Sequence, residues 1–242
     1  KNEYPTIILK IIESNSKPEW LGQSILVDNK TNLDFCDIPA TSLLTSIEES
    51  REKEKSSIMS CRTRSNLQLK ILVEFLRPEK KLYIIGDNYD VSALVDIANV
   101  LGWHPYIIGN TKKLGKEIFD NAFRVYDYDQ IKNLSINRHS AVILMTHDYN
   151  KDKTLLPGLL SRNPGYLGML GPKKRMIKMQ KEIPDVNFSS IAHFYSPVGL
   201  EIGAESPEEI ALSIASEIVA VFRKKPGGSL KFKPGTIHER EL

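Results

Sequence analysis

Cysteine is nearly absent: the 242 residues hold only Cys36 and Cys61, and no C-x-x-C pair occurs. Two isolated thiols cannot build a disulfide framework and fall short of a structural zinc site. Unpaired thiols also suit a reducing compartment. No apolar run approaches the ~20 residues that a membrane-spanning helix needs. No signal-peptide pattern opens the chain, which begins at Lys1 rather than Met. The reading is cytoplasmic, with no membrane partner. Charge of one sign is scarce as well. A formal net charge of +3 gives no ground for a nucleic-acid partner, although it leaves room for a local anion site. Repeats and low-complexity tracts are missing too.

What is present is ordinary globular material. A hydrophobic share of 41% beside 26% charged residues suffices for one large domain or two modest ones. Up to about Leu76 the chain shows short β-like runs, Thr6–Ile12, Ser24–Val27, Ser57–Cys61 and Leu69–Phe75. One polar helix, Ser42–Lys55, interrupts them, and its charged end reads as a solvated face. This predicts a small α+β domain over residues 1–77. Arg77-Pro78-Glu79-Lys80-Lys81 marks a boundary, since proline disfavours helix before it and the charges keep the segment at the surface.

Beyond it, over residues 78–242, strands and helices alternate. Leu82–Ile85 ends at Gly86 and leads into an amphipathic helix, Asp90–Leu101. Strands are expected at Pro105–Ile108, Phe123–Tyr126, Ala141–Met145 and Tyr166–Leu170. Leu155–Leu160 and the segment from Pro172 read as helical, and Pro207 to about Arg223 carries an apolar stripe of Ile210, Ile214, Ile218 and Val221. Such alternation implies a parallel sheet covered by helices on both faces, a Rossmann-like α/β domain. The tail from Lys225 reads as an irregular extension.

Ligands of such sheets sit beyond the carboxyl ends of the strands, near the point where strand order reverses. The residues following the strands are therefore the candidates. Gly168 through Arg175 is the best anion site: Gly171 permits close backbone approach, Pro172 suits a helix start, and Lys173, Lys174 and Arg175 add positive charge. A tight turn followed by a solvated basic helix explains the same residues. Thr146-His147-Asp148 offers a hydroxyl, an imidazole and a carboxylate, so His147 could act as acid, base or orienting donor. The alternative has Thr146 and Asp148 capping the next helix with His147 packed beneath it, and the residues alone favour that role. The first turn, Gly86-Asp87-Asn88-Tyr89-Asp90, keeps only the first glycine of the G-x-G-x-x-G dinucleotide fingerprint. Asp87 stands where a pyrophosphate would lie, and Asn110 replaces the ribose-binding acid. Ser206-Pro207-Glu208-Glu209 is a capping-box helix start, which leaves the preceding Gly199 and Gly203 unexplained.

Together, Tyr83 through Asp90, Met145 through Tyr149, Gly168 through Arg175, Ser196 through Ile210 and Gly227-Gly228-Ser229-Leu230 resemble the xanthine dehydrogenase accessory protein (XdhC/CoxI) family, in family order over residues 82–239. Lys233-Pro234-Gly235 and Ile237-His238-Glu239-Arg240 extend the likeness. The resemblance implies an accessory protein or chaperone for a molybdenum hydroxylase. It would bind the molybdenum cofactor, a phosphorylated pterin (molybdopterin) with a dithiolene-bound metal, and assist its sulfuration or insertion. The implied partners are the hydroxylase apoenzyme and a sulfur-donating desulfurase. The cofactor-binding candidates are Gly86, Asn88, Asp90, Thr146, His147, Asp148, Gly168, Gly171, Lys173, Lys174, Arg175, Gly199, Gly203 and Glu205, with no catalytic residue and no protein metal ligand assigned.

The N-terminal region is similar in outline. Leu21 through Val27 resembles the family's glycine-then-strand segment, but Asp37 through Ser42 stands where the family carries Gly-Gly-Cys-x-Glu, with Thr41 near the cysteine position. Two other functions are carried alongside: an NAD(P)-dependent oxidoreductase, disfavoured by the damaged fingerprint, and a divergent paralogue that only binds a protein partner. A homodimer is expected because two-fold pairs are commonest.

Overall fold

The computed structural model describes residues 4–27, 33 and 36–235; the run Ile237-His238-Glu239-Arg240 lies outside them. The chain divides into two compact units, Lys1–Glu79 and Lys80–Leu242.

In the first unit, alternating apolar residues produce an antiparallel sheet with one buried face. Strands β1 (Thr6–Ser14), β2 (Ser24–Val27), β3 (Ser57–Arg62) and β4 (Gln68–Leu76) pair in the order β2-β1-β4-β3. Ile7, Leu9 and Ile11 of β1 and Leu69, Ile71 and Val73 of β4 point inward, as the two-residue period requires. Helix α1 (Ala40–Lys53) packs on β3 and β4 and adds Leu43 and Ile47 to the core. Each such fully buried aliphatic side chain contributes about 1.5–3 kcal/mol relative to exposure. Helix α1 lies two residues earlier than the expected helix, because Glu54 adopts a left-handed conformation that ends it.

The second unit carries six parallel strands: β5 (Lys81–Ile85), β6 (His104–Ile108), β7 (Arg124–Tyr126), β8 (Ser140–Leu144), β9 (Tyr166–Met169) and β10 (Phe194–Tyr195). Their order is β10-β9-β8-β5-β6-β7. The chain runs outward from β5 through β6 to β7, then returns to β8 on the other side of β5. Strand order thus reverses between β5 and β8, which opens a crevice at their carboxyl ends. Leu82 and Ile84 face one core with α2 (Val91–Val100), α3 (Lys116–Asn121) and α6 (Pro207–Phe222). Tyr83 and Ile85 face the other, with α4 (Tyr149–Leu160) and α5 (Lys173–Glu182). This is the Rossmann-like sheet covered on both faces.

Three elements differ from expectation. Strand β10 is two residues long and α3 six, too short for a periodic signal. Helix α4 begins six residues before the expected Leu155, because Asp148 caps it by accepting from the Asn150 and Lys151 N–H groups. The described tail is irregular apart from one 3-10 turn, Leu230–Phe232.

The β9–α6 contact includes a partly buried polar pair. Tyr166, fully buried, donates its hydroxyl to Glu217, and its ring stacks on Tyr195 at 4.7 Å. Burial first, and Glu217 second, push the Tyr166 phenol well above its ordinary value of 10.0. The folded unit therefore keeps a proton that the unfolded chain releases. The stabilisation is whole below about pH 10 and is lost as pH rises beyond it. In an alkaline titration, the tyrosinate absorbance that disappears in a Tyr166→Phe variant should emerge only together with unfolding. Its smooth appearance in folded protein near the ordinary value would contradict the bond.

Candidate functional site

The crevice begins at Gly86, directly after β5. A Cβ there would lie 2.5 Å from the Met145 carbonyl oxygen, so glycine is what lets the ends of β5 and β8 close together. Asp87 does not point into the crevice mouth where a pyrophosphate would lie. Its carboxylate turns toward β6 and β7, accepting from the Asn110 N–H at 2.9 Å and the Tyr128 hydroxyl at 3.1 Å. Lys113 stands 3.8 Å away. The electrostatic obstacle read from the sequence is thus displaced to one side.

The other polar residues of the two strand ends form a connected system. The Asn88 side-chain amide donates to the Thr146 carbonyl at 3.1 Å. Asp90 Oδ2 lies 2.7 Å from His147 Nε2, so the residue before α2 spends its carboxylate on the β8 loop rather than on capping its own helix. His147 is half-exposed and has φ of +58°, a left-handed conformation that turns its ring toward Asp90 instead of beneath α4. The packing role that the residues alone favoured for His147 is therefore not what the fold adopts, whereas Asp148 does cap α4. Backbone donors, that of Lys151 first, hold the Asp148 carboxyl below its ordinary range. Thr146 donates to Asp152 at 2.5 Å, and Asp152, wholly buried, accepts from Arg175 of α5. The chain of contacts runs from α2 through the β8 loop to α5.

At the far end, α5 starts on Gly171, with φ of +130°, and on Pro172, which supplies no side-chain cap. Helices α4 and α6 are capped by Asp148 and Ser206. The first N–H groups of α5 remain without a side-chain acceptor, beside the exposed side chains of Lys173 and Lys174. Arg175 is mostly buried and committed to Asp152. Two buried atoms of the system have no partner among the described residues: the Asp90 Oδ1 acceptor and the Arg175 Nε donor. Buried polar groups are normally satisfied, so these two atoms stand out as orphans of the fold.

The remaining candidates sit in other bonding systems. Gly168 lies inside β9, where a Cβ would meet Val198 at 2.4 Å. Gly199, with φ of +103°, passes 2.4 Å from Ser213 Oγ measured from an added Cβ, and its N–H donates to Glu217 at 2.8 Å. That contact with α6 accounts for the glycine. Gly203 has φ of +73° in open space, and the Glu205 N–H donates to the same Glu209 carboxylate that closes the Ser206 capping box. None of these four bonds to the Thr146 system.

Asp152 escaped the reading of the sequence. It shares the buried side of α4 with Leu156 and Leu159, and a carboxylate on an apolar helical stripe is the signal that would have exposed it. The signal was hidden because the helix was expected to begin after it.

The XdhC Rossmann domain family model matches residues 82–218. The chain is 31% identical over 158 residues to a Bacillus subtilis protein named as a probable xanthine dehydrogenase subunit, covering 62% of this chain and 45% of that protein. It is 24% identical over 147 residues to the Escherichia coli molybdenum cofactor insertion chaperone PaoD, covering 60% of this chain and 41% of that one. The matches thus span less than half the length of these curated relatives. A crystal structure described as a xanthine dehydrogenase from Bacillus halodurans shares the fold with a TM-score of 0.56 at 19% identity, over 96% of this chain and 95% of that chain. Among the described residues no helix is long and apolar enough to cross a membrane.

Proposed function

The chain belongs to the XdhC family, and from that premise we propose that it serves a molybdenum hydroxylase by holding the phosphorylated pterin of the molybdenum cofactor at the β5/β8 crevice and passing it to the apoenzyme. The cofactor is cargo. It brings its metal already held by its own dithiolene, so this chain has only to recognise phosphate and ring.

The observation that carries the reading is the uncapped start of α5 at the end of the Asp90–His147–Thr146–Asp152–Arg175 system. The N–H groups of Lys173 and Lys174, the positive end of the helix and the two ammonium groups suit a phosphate. Arg175 Nε, buried and unpartnered among the described residues, supplies a further donor. At the other end Asp90 Oδ1 calls for an N–H or O–H group from the guest. The half-exposed His147 ring is bonded to Asp90 and stands on the same loop as Thr146. Its bond to Asp90 fixes the orientation in which the ring meets the guest.

Sulfuration is assigned to a separate desulfurase on this reading. A sulfur carrier needs a thiolate, and burial raises both thiols of this chain, Cys36 and Cys61, above their ordinary value. Both belong to the N-terminal unit.

Titration of the purified chain with intact molybdenum cofactor should give saturable binding. Replacing Lys173 and Lys174 together by alanine should weaken it roughly ten- to hundred-fold, as expected for hydrogen bonds to a charged group. NAD(P) should give no response. Binding that ignores the double substitution, or a chain that responds to NAD(P) and not to the cofactor, would overturn the proposal.

A further inference from the structure

On the other side of the first turn, the loops after β5, β6 and β7 and the first turn of α4 surround an open cavity of about 420 Å³. Three carboxylates line it, Asp87, Asp127 and Asp129, together with two ammonium groups, Lys113 and Lys151, and the phenol of Tyr128. The residues differ in what they have left to offer. Asp87 is occupied by the Asn110 N–H and the Tyr128 hydroxyl. Asp127 accepts from the Thr111 N–H at 3.1 Å and from its hydroxyl at 3.0 Å. These bonds build the frame. Burial first, and then Asp87, keep Tyr128 protonated well above the ordinary tyrosine value, and the Lys151 ammonium sits 4.0 Å from its ring centroid. Asp129, by contrast, is exposed and has no hydrogen bond or ion pair among the described residues.

The mixture selects by class. Three carboxylates against two ammonium groups disfavour a polyanion, and the two lysines disfavour a simple cation. A neutral ring edge that sets N–H donors beside a carbonyl acceptor satisfies both kinds of group at once. A 2-amino-4-oxopyrimidine has that edge: its ring N–H and amino group suit one carboxylate, and its carbonyl suits an ammonium. We propose that this cavity seats the aminopyrimidinone edge of a pterin, with Asp129 accepting from the ring N–H and the amino group while Lys113 and Lys151 donate to the carbonyl.

The inference rests on the function proposed above and adds where the ring lies. Three strand spacings separate β6 from β9, on the order of 14 Å. An extended pterin with a phosphate arm is of that order in length, so a ring in this cavity is compatible with a phosphate at the start of α5.

The probe is 6-hydroxymethylpterin, which carries the ring without phosphate or metal, titrated into the whole chain by its own fluorescence. Its lumazine counterpart, in which a carbonyl replaces the amino group, turns an acceptor toward Asp129. The pterin should bind saturably and at least about ten-fold more tightly than the lumazine. Asp129→Ala, at an exposed position with no bonds to lose, should remove about ten-fold or more of the pterin affinity and erase the preference. Asp96→Asn, on the exposed side of α2, should leave both unchanged. The pterin should also displace intact cofactor. If intact cofactor binds but the pterin neither competes nor senses Asp129→Ala, the ring seat is wrong and the function proposed above stands. If neither binds, both fall. If adenosine displaces the pterin, the cavity is a nucleoside site and the proposal is overturned.

Discussion

Replacing Asp152 by alanine is expected to lower the stability of the C-terminal unit by about 3–5 kcal/mol. The carboxylate is wholly buried and accepts from Arg175 and from Thr146. Its removal strands the Arg175 guanidinium, 18% exposed, without a counter-ion, and the cost of that unpaired charge exceeds the worth of the bond itself. Urea denaturation followed through Trp103, a mostly buried residue of the C-terminal unit, in a Trp20→Phe background would measure it. The double variant Asp152→Leu with Arg175→Met should recover much of the loss, since apolar replacement of a buried pair is often close to neutral. A loss below about 1 kcal/mol for the alanine variant would mean that the pair behaves as a solvated surface bridge. Cofactor binding should weaken in parallel, because Asp152 is what ties the start of α5 to the β8 loop.

Gly86→Ala should cost less stability but disrupt the site by a different route. The new methyl group would meet a backbone oxygen, that of Met145, at 2.5 Å, and backbone in the middle of a sheet cannot swing aside as a side chain can. The adjoining register is held by the Met145 N–H bonded to the Ile85 carbonyl at 2.9 Å. Relieving the clash therefore means parting β5 from β8. We expect a loss of about 1–3 kcal/mol, together with loss of cofactor binding under conditions where the chain is still folded, since the Asn88–Thr146 and Asp90–His147 contacts span the parted strands. Gly102→Ala separates strain from closeness. That glycine has φ of +68° with no atom within 4 Å of an added Cβ, so it should cost about 1–2 kcal/mol of backbone strain and leave binding intact. Equal binding by the Gly86→Ala variant and the wild type would remove the crevice from the function.

The alternation of Ile7, Leu9 and Ile11, the strand–helix rhythm after Lys80 and the Ser206 capping box were legible because each is written in residues that are neighbours along the chain. Period and capping depend on side chains two to four positions apart, and those distances survive folding. The glycines were legible only by half. Gly86 and Gly171 announce close approach, but what they approach, the Met145 carbonyl and the Arg175 side chain, is visible only once β5, β8 and α5 are placed.

Family and sheet type were thus decided by the sequence: the motifs, their order and the alternation of elements carry them. The tertiary structure alone decided which residues act together, including Asp152, which the sequence did not nominate. Asn88 meets Thr146 across 58 positions, Asp90 meets His147 across 57, and Arg175 meets Asp152 across 23. It also turned Asp87 aside and gathered Asp129, Lys113 and Lys151 around one cavity. No local pattern can encode such meetings, because they depend on which elements the fold sets side by side; the Asn88–Thr146 and Asp90–His147 pairs follow from the reversal of strand order between β5 and β8, and that reversal is a property of how the crossovers pack.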